Sequence, residues 1–221
     1  MAHRELNEWQ LIYTSREPDH QRLHEALCTL GNGYFSVRGA AEEAEAGETD
    51  YPGTYLAGGY DRLETRISGR VIENEDLVNW PNPLVLSFRT ENDEWFDLDD
   101  VEILSFRQTL DLRQGLLERR IQFRHSDDQE TTLRIRRLVH MANPHLAAIE
   151  WALVPENWSG RIEVRSGIDG AVINAGVERY KDLSSRHLDV LETGTIGEDG
   201  IYLTARTKQS KIAMTQGVRT Q

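Results

Sequence analysis

Between Val101 and Val139, after the first few residues and apart from its turns, the chain alternates apolar and polar residues with a period of two. Leu104, Phe106, Gln108, Leu110 and Leu112 fall on one face, and Leu117, Arg119, Ile121 and Phe123 continue the row past Gln114-Gly115. Leu133 and Ile135 then oppose Arg134 and Arg136. That period puts successive side chains on opposite faces of an extended chain, so one face is buried and one is wet. An antiparallel sheet has this property, and the break at Gln114-Gly115 predicts a hairpin. The same alternation runs through Arg161–Ser166, Arg186–Glu192 and Ile201–Arg206, and strands are also expected at the apolar run Leu84–Phe88, at Leu146–Val154 with Ile149 and Trp151, and at Lys211–Gln216. In these, Ile162 and Val164 are expected inside, and so are Leu188 and Val190, opposite His187 and Asp189. Many short strands separated by Gly, Asn and Asp predict a mainly all-β chain folded as a large antiparallel β-sandwich, a supersandwich. One short N-terminal helix is expected near His24–Thr29.

Composition narrows the function classes. A chain of 221 residues with 38% hydrophobic content can bury one sizeable core. The net charge of −12 argues against a nucleic-acid partner, whose phosphates require a basic face, and is compatible with a neutral sugar. No apolar run is long enough to span a bilayer, and the first residues lack an apolar signal core, so no membrane partner and a cytoplasmic location are expected. Cys28 is the single cysteine, which excludes an intrachain disulfide and a thiol metal cluster and leaves it the part of a small apolar filler.

The segment Leu30–Gly39 reads Leu-Gly-Asn-Gly-Tyr-Phe-Ser-Val-Arg-Gly. Gly31 and Gly33 can take positive φ and turn the chain from a helix into a strand that buries Tyr34 or Phe35. A dinucleotide loop needs the opposite order, strand then glycines then helix, so that reading fails. Arg38 follows an apolar strand and precedes Gly39, which points to a buried ion pair or a backbone contact. The acidic run Ala40–Asp50 has no apolar face and reads as a solvated loop. Asp97-Leu98-Asp99-Asp100 and Asp127-Asp128 sit where turns are expected, and Ala171–Ser185 reads as a long connection. No histidine pair carries metal-site spacing with an acidic partner, so no metal is expected. Trp80, in an Asn- and Pro-rich loop with Asn79, is expected at a domain or subunit interface, partly exposed; Tyr60 is the other candidate for an interface or a sugar rim.

Residues Gly31, Asn32, Gly33, Tyr34, Arg38 and Gly39, with Glu25 and Leu27 upstream, resemble the N-terminal signature of glycoside hydrolase family 65. That family includes maltose, trehalose and kojibiose phosphorylases and some trehalases. Three further blocks follow in the family's order: Gly53–Asp61, Glu75–Pro83, and Leu110–Gly115 with Arg119 and Arg120. Trp80 departs from the usual order of the second of these. The resemblance implies that residues 1–221 are the N-terminal β-sandwich domain of a longer enzyme, cut short at its C-terminal end, with the (α/α)6 catalytic barrel absent. The family's catalytic glutamate and phosphate-binding residues lie in that barrel, so no catalytic, cofactor-binding or metal residue is assigned here. For the parent, the resemblance implies an α-linked disaccharide substrate, inorganic phosphate as co-substrate, no cofactor, its own barrel as partner, and a homodimer. From another class, a stand-alone carbohydrate-binding sandwich also fits the sequence.

Overall fold

The computed structural model describes residues 4–90, 94–125, 128–175 and 182–221. Its largest sheet has six antiparallel strands, in the order β1 (Arg4–Asn7), β2 (Gln10–Tyr13), β9 (Glu102–Asp111), β10 (Leu116–Arg124), β11 (Glu130–Val139) and β12 (Ala147–Pro155). The predicted hairpin is the β9–β10 connection, with Gly115 at φ 62° in the turn. A β-bulge at Gln122/Phe123 pairs Gln122 with Ser105 and Phe123 with Ile103, so Leu104 leaves the regular row.

The inward row of this sheet meets β8 (Asn82–Thr90) and the segment that follows it. Phe88, Phe96, Leu98, Ile121, Phe123, Leu133 and Ile135 form one buried cluster. A second joins Tyr13, Leu110, Leu117 and Val139 to Leu84 and to Cys28, Leu30 and Val37. Cys28 caps helix α1 (Gln21–Leu27) and is fully buried, as an apolar filler would be. The short strands β3 (Leu30–Gly31), β4 (Phe35–Val37) and β5 (Thr54–Leu56) form a small sheet, and β13 (Ile162–Asp169) pairs with β8. A third cluster is built on β14 (Leu188–Ile196), β15 (Gly200–Thr207) and β16 (Ala213–Arg219), with Leu188, Leu203 and Ala205 packed on Val78, Trp80 and Val172. The mainly-β sandwich expected from the alternation is therefore observed, with its single short helix among the described residues.

Two expected rows come out differently. Ile162 and Val164 are exposed, while Arg165 is half-buried with its guanidinium 4.7 Å from the Trp95 ring centroid. Among the described residues β13 pairs only with β8, and the stacking energy of Arg165 on an indole selects which face turns inward. On β14, Val190 is exposed and His187 is buried, because His187 is held between two carboxylates.

Strands β6 (Tyr60–Ile67) and β7 (Arg70–Leu77) make a hairpin that pairs with no other sheet among the described residues. Ser68 and Gly69 form its turn with φ of 49° and 79°. Positive φ at both central positions is the type I′ geometry that suits a twisted hairpin, and Asn tolerates it better than Ser. Ser68→Asn is expected to raise stability by about 0.5–1 kcal/mol. Urea unfolding checks this; an unchanged or lower midpoint contradicts it.

Candidate functional site

The glycine–arginine motif forms one corner of a polar network that runs through the middle of the molecule. Gly33 has φ 84°, as its place in a tight turn requires. Gly31 does not take positive φ; it is needed because a Cβ there would stand 2.9 Å from Ser36 Cβ. A Cβ on Gly39 would meet Cys28 Cβ at 2.5 Å, so strand and helix end approach as only glycine allows. Asn32 Oδ1 accepts the Tyr34 and Phe35 N–H groups at 3.0 and 3.2 Å, and its Nδ2 donates to the His140 and Pro144 carbonyls at 2.8 and 3.2 Å. Of the two aromatics, Phe35 is half-buried against the core, and Tyr34 lies exposed with its ring edge-on to His145, 4.4 Å between centroids.

Arg38 points inward. Its Nε donates to the Tyr51 carbonyl at 2.9 Å, and its Nη2 donates to the Arg22 carbonyl at 2.7 Å and lies 3.5 Å from Glu25 Oε2. Gly53 makes room for it, since a Cβ there would stand 2.7 Å from Arg38 Cδ. Glu25, fully buried on α1, accepts the Tyr51 N–H. Tyr51 Oη donates to the Ile173 carbonyl and accepts the Ala175 N–H. Asn79 completes the path: its Nδ2 donates to the Pro52 and Ile173 carbonyls, its Oδ1 accepts the Thr54 N–H, and its N–H donates to Asn174 Oδ1 at 2.8 Å. Three family-like blocks are thus joined by hydrogen bonds of one connected set.

This corrects the expectation for the Asn79–Pro83 loop. Asn79 is buried, and Trp80 is fully buried, its backbone N–H donating to the Thr54 carbonyl at 2.8 Å and its ring packed with Val78, Leu203 and Ala205. A Cβ on Gly59 would stand 2.8 Å from Trp80 Nε1, so that glycine accommodates the indole. Trp80 is a core anchor with no surface for a partner or a sugar ring. Tyr60 is the exposed one of the pair.

The acidic run is a loop, as expected, exposed from Glu45 to Glu48, but its two ends are held against the body of the fold. The carboxylate side chains of Glu42 and Glu43 are buried and converge on Arg119 of β10: Arg119 Nη2 donates to Glu42 at 2.9 Å and Arg119 Nη1 to Glu43 at 2.6 Å. Arg137 of β11, also buried, donates to the Ala40 carbonyl at 3.0 Å and lies 3.6 Å from Glu42. Burial opposes the Arg119 charge, yet the carboxylates of Glu43 and Glu42 outweigh it and hold its pKa above the ordinary value. For Arg137 burial wins, and the pKa falls. Arg119 already stood in an apolar row of the sequence, and an inward arginine requires a buried carboxylate partner. That was the available signal.

Elsewhere, Asp97 caps a 3-10 turn at Leu98–Asp100, as the turn reading predicts; Asp127 lies outside the described residues. His187 sits with Nδ1 3.3 Å from Asp61 and Nε2 3.2 Å from Asp76, fastening the β6–β7 hairpin to the body. Asp61 also accepts the N–H groups of Gln209 and Ser210 and the Ser210 hydroxyl. Burial would raise its pKa, but those donors together lower it. Between the acidic run and the β8–β13 pair lies a cavity of about 670 Å³, with Asn79, Asn82, Arg165 and Asp169 in its wall.

With the motif network, the ordered blocks and the sandwich in place, comparison with known proteins decides the family. Residues 11–221 match the model of the N-terminal domain of glycosyl hydrolase family 65. The chain belongs to that family. An uncharacterized glycosyl hydrolase of Mycobacterium tuberculosis is 44% identical over 96% of this chain and 16% of its own length. The kojibiose phosphorylase of Caldanaerobacter subterraneus subsp. tengcongensis is 34% identical over 85% of this chain and 23% of its own length. A solved structure described as a candidate kojibiose phosphorylase from the human microbiome superposes with a TM-score of 0.81 at 23% identity, covering 99% of this chain and 28% of that one, and so shares the fold. The chain spans less than a third of the length of these family 65 relatives. It matches them as an N-terminal domain of larger proteins.

Two outcomes test the network. Arg38→Lys keeps the charge but cannot reach both carbonyls and Glu25 with one ammonium, so a loss of about 1–3 kcal/mol is expected in urea unfolding. Wild-type stability in the lysine variant contradicts the geometry. Burial pushes the Glu25 carboxyl up to about 7 from 4.5, the Tyr51 N–H pulls against that rise, and Asp50 adds to it. A raised pKa in the folded state means stability that is full below about 4.5 and is lost as the pH rises through about 7. The urea midpoint of the wild type, relative to Glu25→Gln, is therefore expected to fall across that window. A flat or rising difference overturns the assignment.

Proposed function

We propose that this chain is the non-catalytic N-terminal domain of a larger family 65 enzyme that cleaves an α-linked diglucoside with inorganic phosphate. The observation that carries the reading is the family match over residues 11–221, combined with the small share of each relative that the chain spans. The kojibiose phosphorylase among the relatives points to phosphorolysis, and the resemblance adds trehalose and maltose as candidate substrates. The non-catalytic part is supported by how the carboxylates are used. Glycoside cleavage needs a carboxyl group poised at an open scissile bond. In this fold the side chains of Glu25, Glu42 and Glu43 are buried and bonded to the chain's own N–H groups and arginines.

In this reading the domain packs beside the parent's own catalytic barrel, supports the rim of the active site and contributes to a homodimer. It uses no cofactor or metal and works in the cytoplasm. No helix among the described residues is long and apolar enough to cross a membrane. Incubating the purified chain with kojibiose, trehalose and maltose plus phosphate tests the reading. No glucose 1-phosphate above background is expected from the chain, and phosphate-dependent release is expected from the parent enzyme. Release by the 221-residue chain itself would overturn it.

A further inference from the structure

The cavity between the acidic run and the β8–β13 pair belongs to none of the roles above. Its volume of about 670 Å³ lies within the range of small-molecule sites. Asn82, only 4% exposed, stands in its wall; its Oδ1 accepts the Leu84 N–H at 3.0 Å, and its Nδ2 has no partner among the described residues. Arg165 also lines it. That guanidinium is stacked at 4.7 Å over Trp95, which fixes its direction, and its Nε is buried with no hydrogen-bond partner. Arg186 lines the same cavity and makes no ion pair among the described residues. Two arginines without an ion pair among the described residues and the Asn82 amide therefore line one space.

The acidic wall offsets these donors only in part, because of its three glutamates only the exposed Glu45 lacks an arginine partner among the described residues. Glu42 and Glu43 are neutralised from behind by Arg119 and Arg137. Asp169, four residues along β13 from Arg165 and so about 13 Å away, puts an acceptor at the far end of the wall. Gly167 lies between them and leaves the floor without a side chain. We infer that this groove binds a small sugar phosphate: the phosphate between Arg165 and Arg186, and the sugar hydroxyls toward Asp169 and the Asn82 amide. Paired guanidinium groups suit a phosphate dianion, whereas acceptors and amides suit hydroxyls. In a chain of net charge −12, an anion is held only where cations are locally unpaired.

Isothermal titration of the 221-residue chain with glucose 6-phosphate, inorganic phosphate and glucose tests this inference. Saturable binding of the hexose phosphate at about 1 mM or tighter is expected, weakening with added salt. Inorganic phosphate is expected to bind about tenfold more weakly, and glucose not measurably. Two variants localise the site. Arg186→Ala removes an exposed side chain, and Gly167→Leu fills the floor where a Cβ meets only Val85, at 3.5 Å. Each is expected to weaken binding about tenfold or more with an unchanged melting temperature. Arg186→Ala decides the matter even if the leucine variant folds poorly. No saturable binding of the hexose phosphate, or binding that Arg186→Ala leaves unchanged, overturns the site. Phosphate bound as tightly as the hexose phosphate overturns the sugar end of the assignment.

Discussion

Two arginines on the inward face of the central sheet impose the constraint on which the rest of this fold depends. Arg119 and Arg137 stand in the same rows as Leu117, Ile121, Leu133 and Ile135, on neighbouring strands. A guanidinium buried there without a partner would cost several kcal/mol. The acidic run supplies the answer with Glu42 and Glu43, and so a segment with no apolar face is drawn down onto the sheet. Its anchoring continues through Arg22, which donates to the Gly47 carbonyl, and through Arg16, which reaches both Asp50 and Asp99. Charge pairing replaces hydrophobic burial as the force that closes this side of the sandwich.

From that side the hydrogen bonds lead directly to the glycine–arginine motif. Glu25, Arg38 and Tyr51 connect α1, β4 and the chain before β5; Asn79 and Asn174 extend the connection to the third core cluster. The glycines of the motif serve this arrangement by letting backbone and side chains approach within distances that a Cβ forbids. The family signature thus describes a structural junction. This accords with the non-catalytic role proposed for the domain.

Much of this was legible in the residues. The alternation from Val101 to Val139 specified the sheet and its hairpin, because a period of two has one structural solution when one face is apolar. The inward turn of Arg38 followed from its position between an apolar strand and a glycine. Other features depended on partners distant in the chain. His187 alternates with apolar residues as an exposed position would, and only the approach of Asp61 and Asp76, more than a hundred residues away, buries it. Trp80 sits among Asn and Pro, a composition typical of surface loops, yet β15 and the strand at Thr54 close over it. The acidic run looked solvated because its own residues contain no reason for burial; the reason lies in Arg119, seventy-six residues on from Glu43. Ile162 and Val164 misled in the opposite sense, since β13 has only one strand neighbour among the described residues and Trp95 selects Arg165 for its inner face.

The claim that paired charges hold the acidic run on the sheet is tested most directly by a double-mutant cycle on Arg119 and Glu43. Arg119→Met, Glu43→Gln and the double variant would each be unfolded in urea at neutral pH. The account predicts that each single variant is strongly destabilised and that the double variant recovers part of the loss, with a coupling energy of about 1.5–3 kcal/mol. Additive effects, agreeing to within about 0.5 kcal/mol, would contradict it.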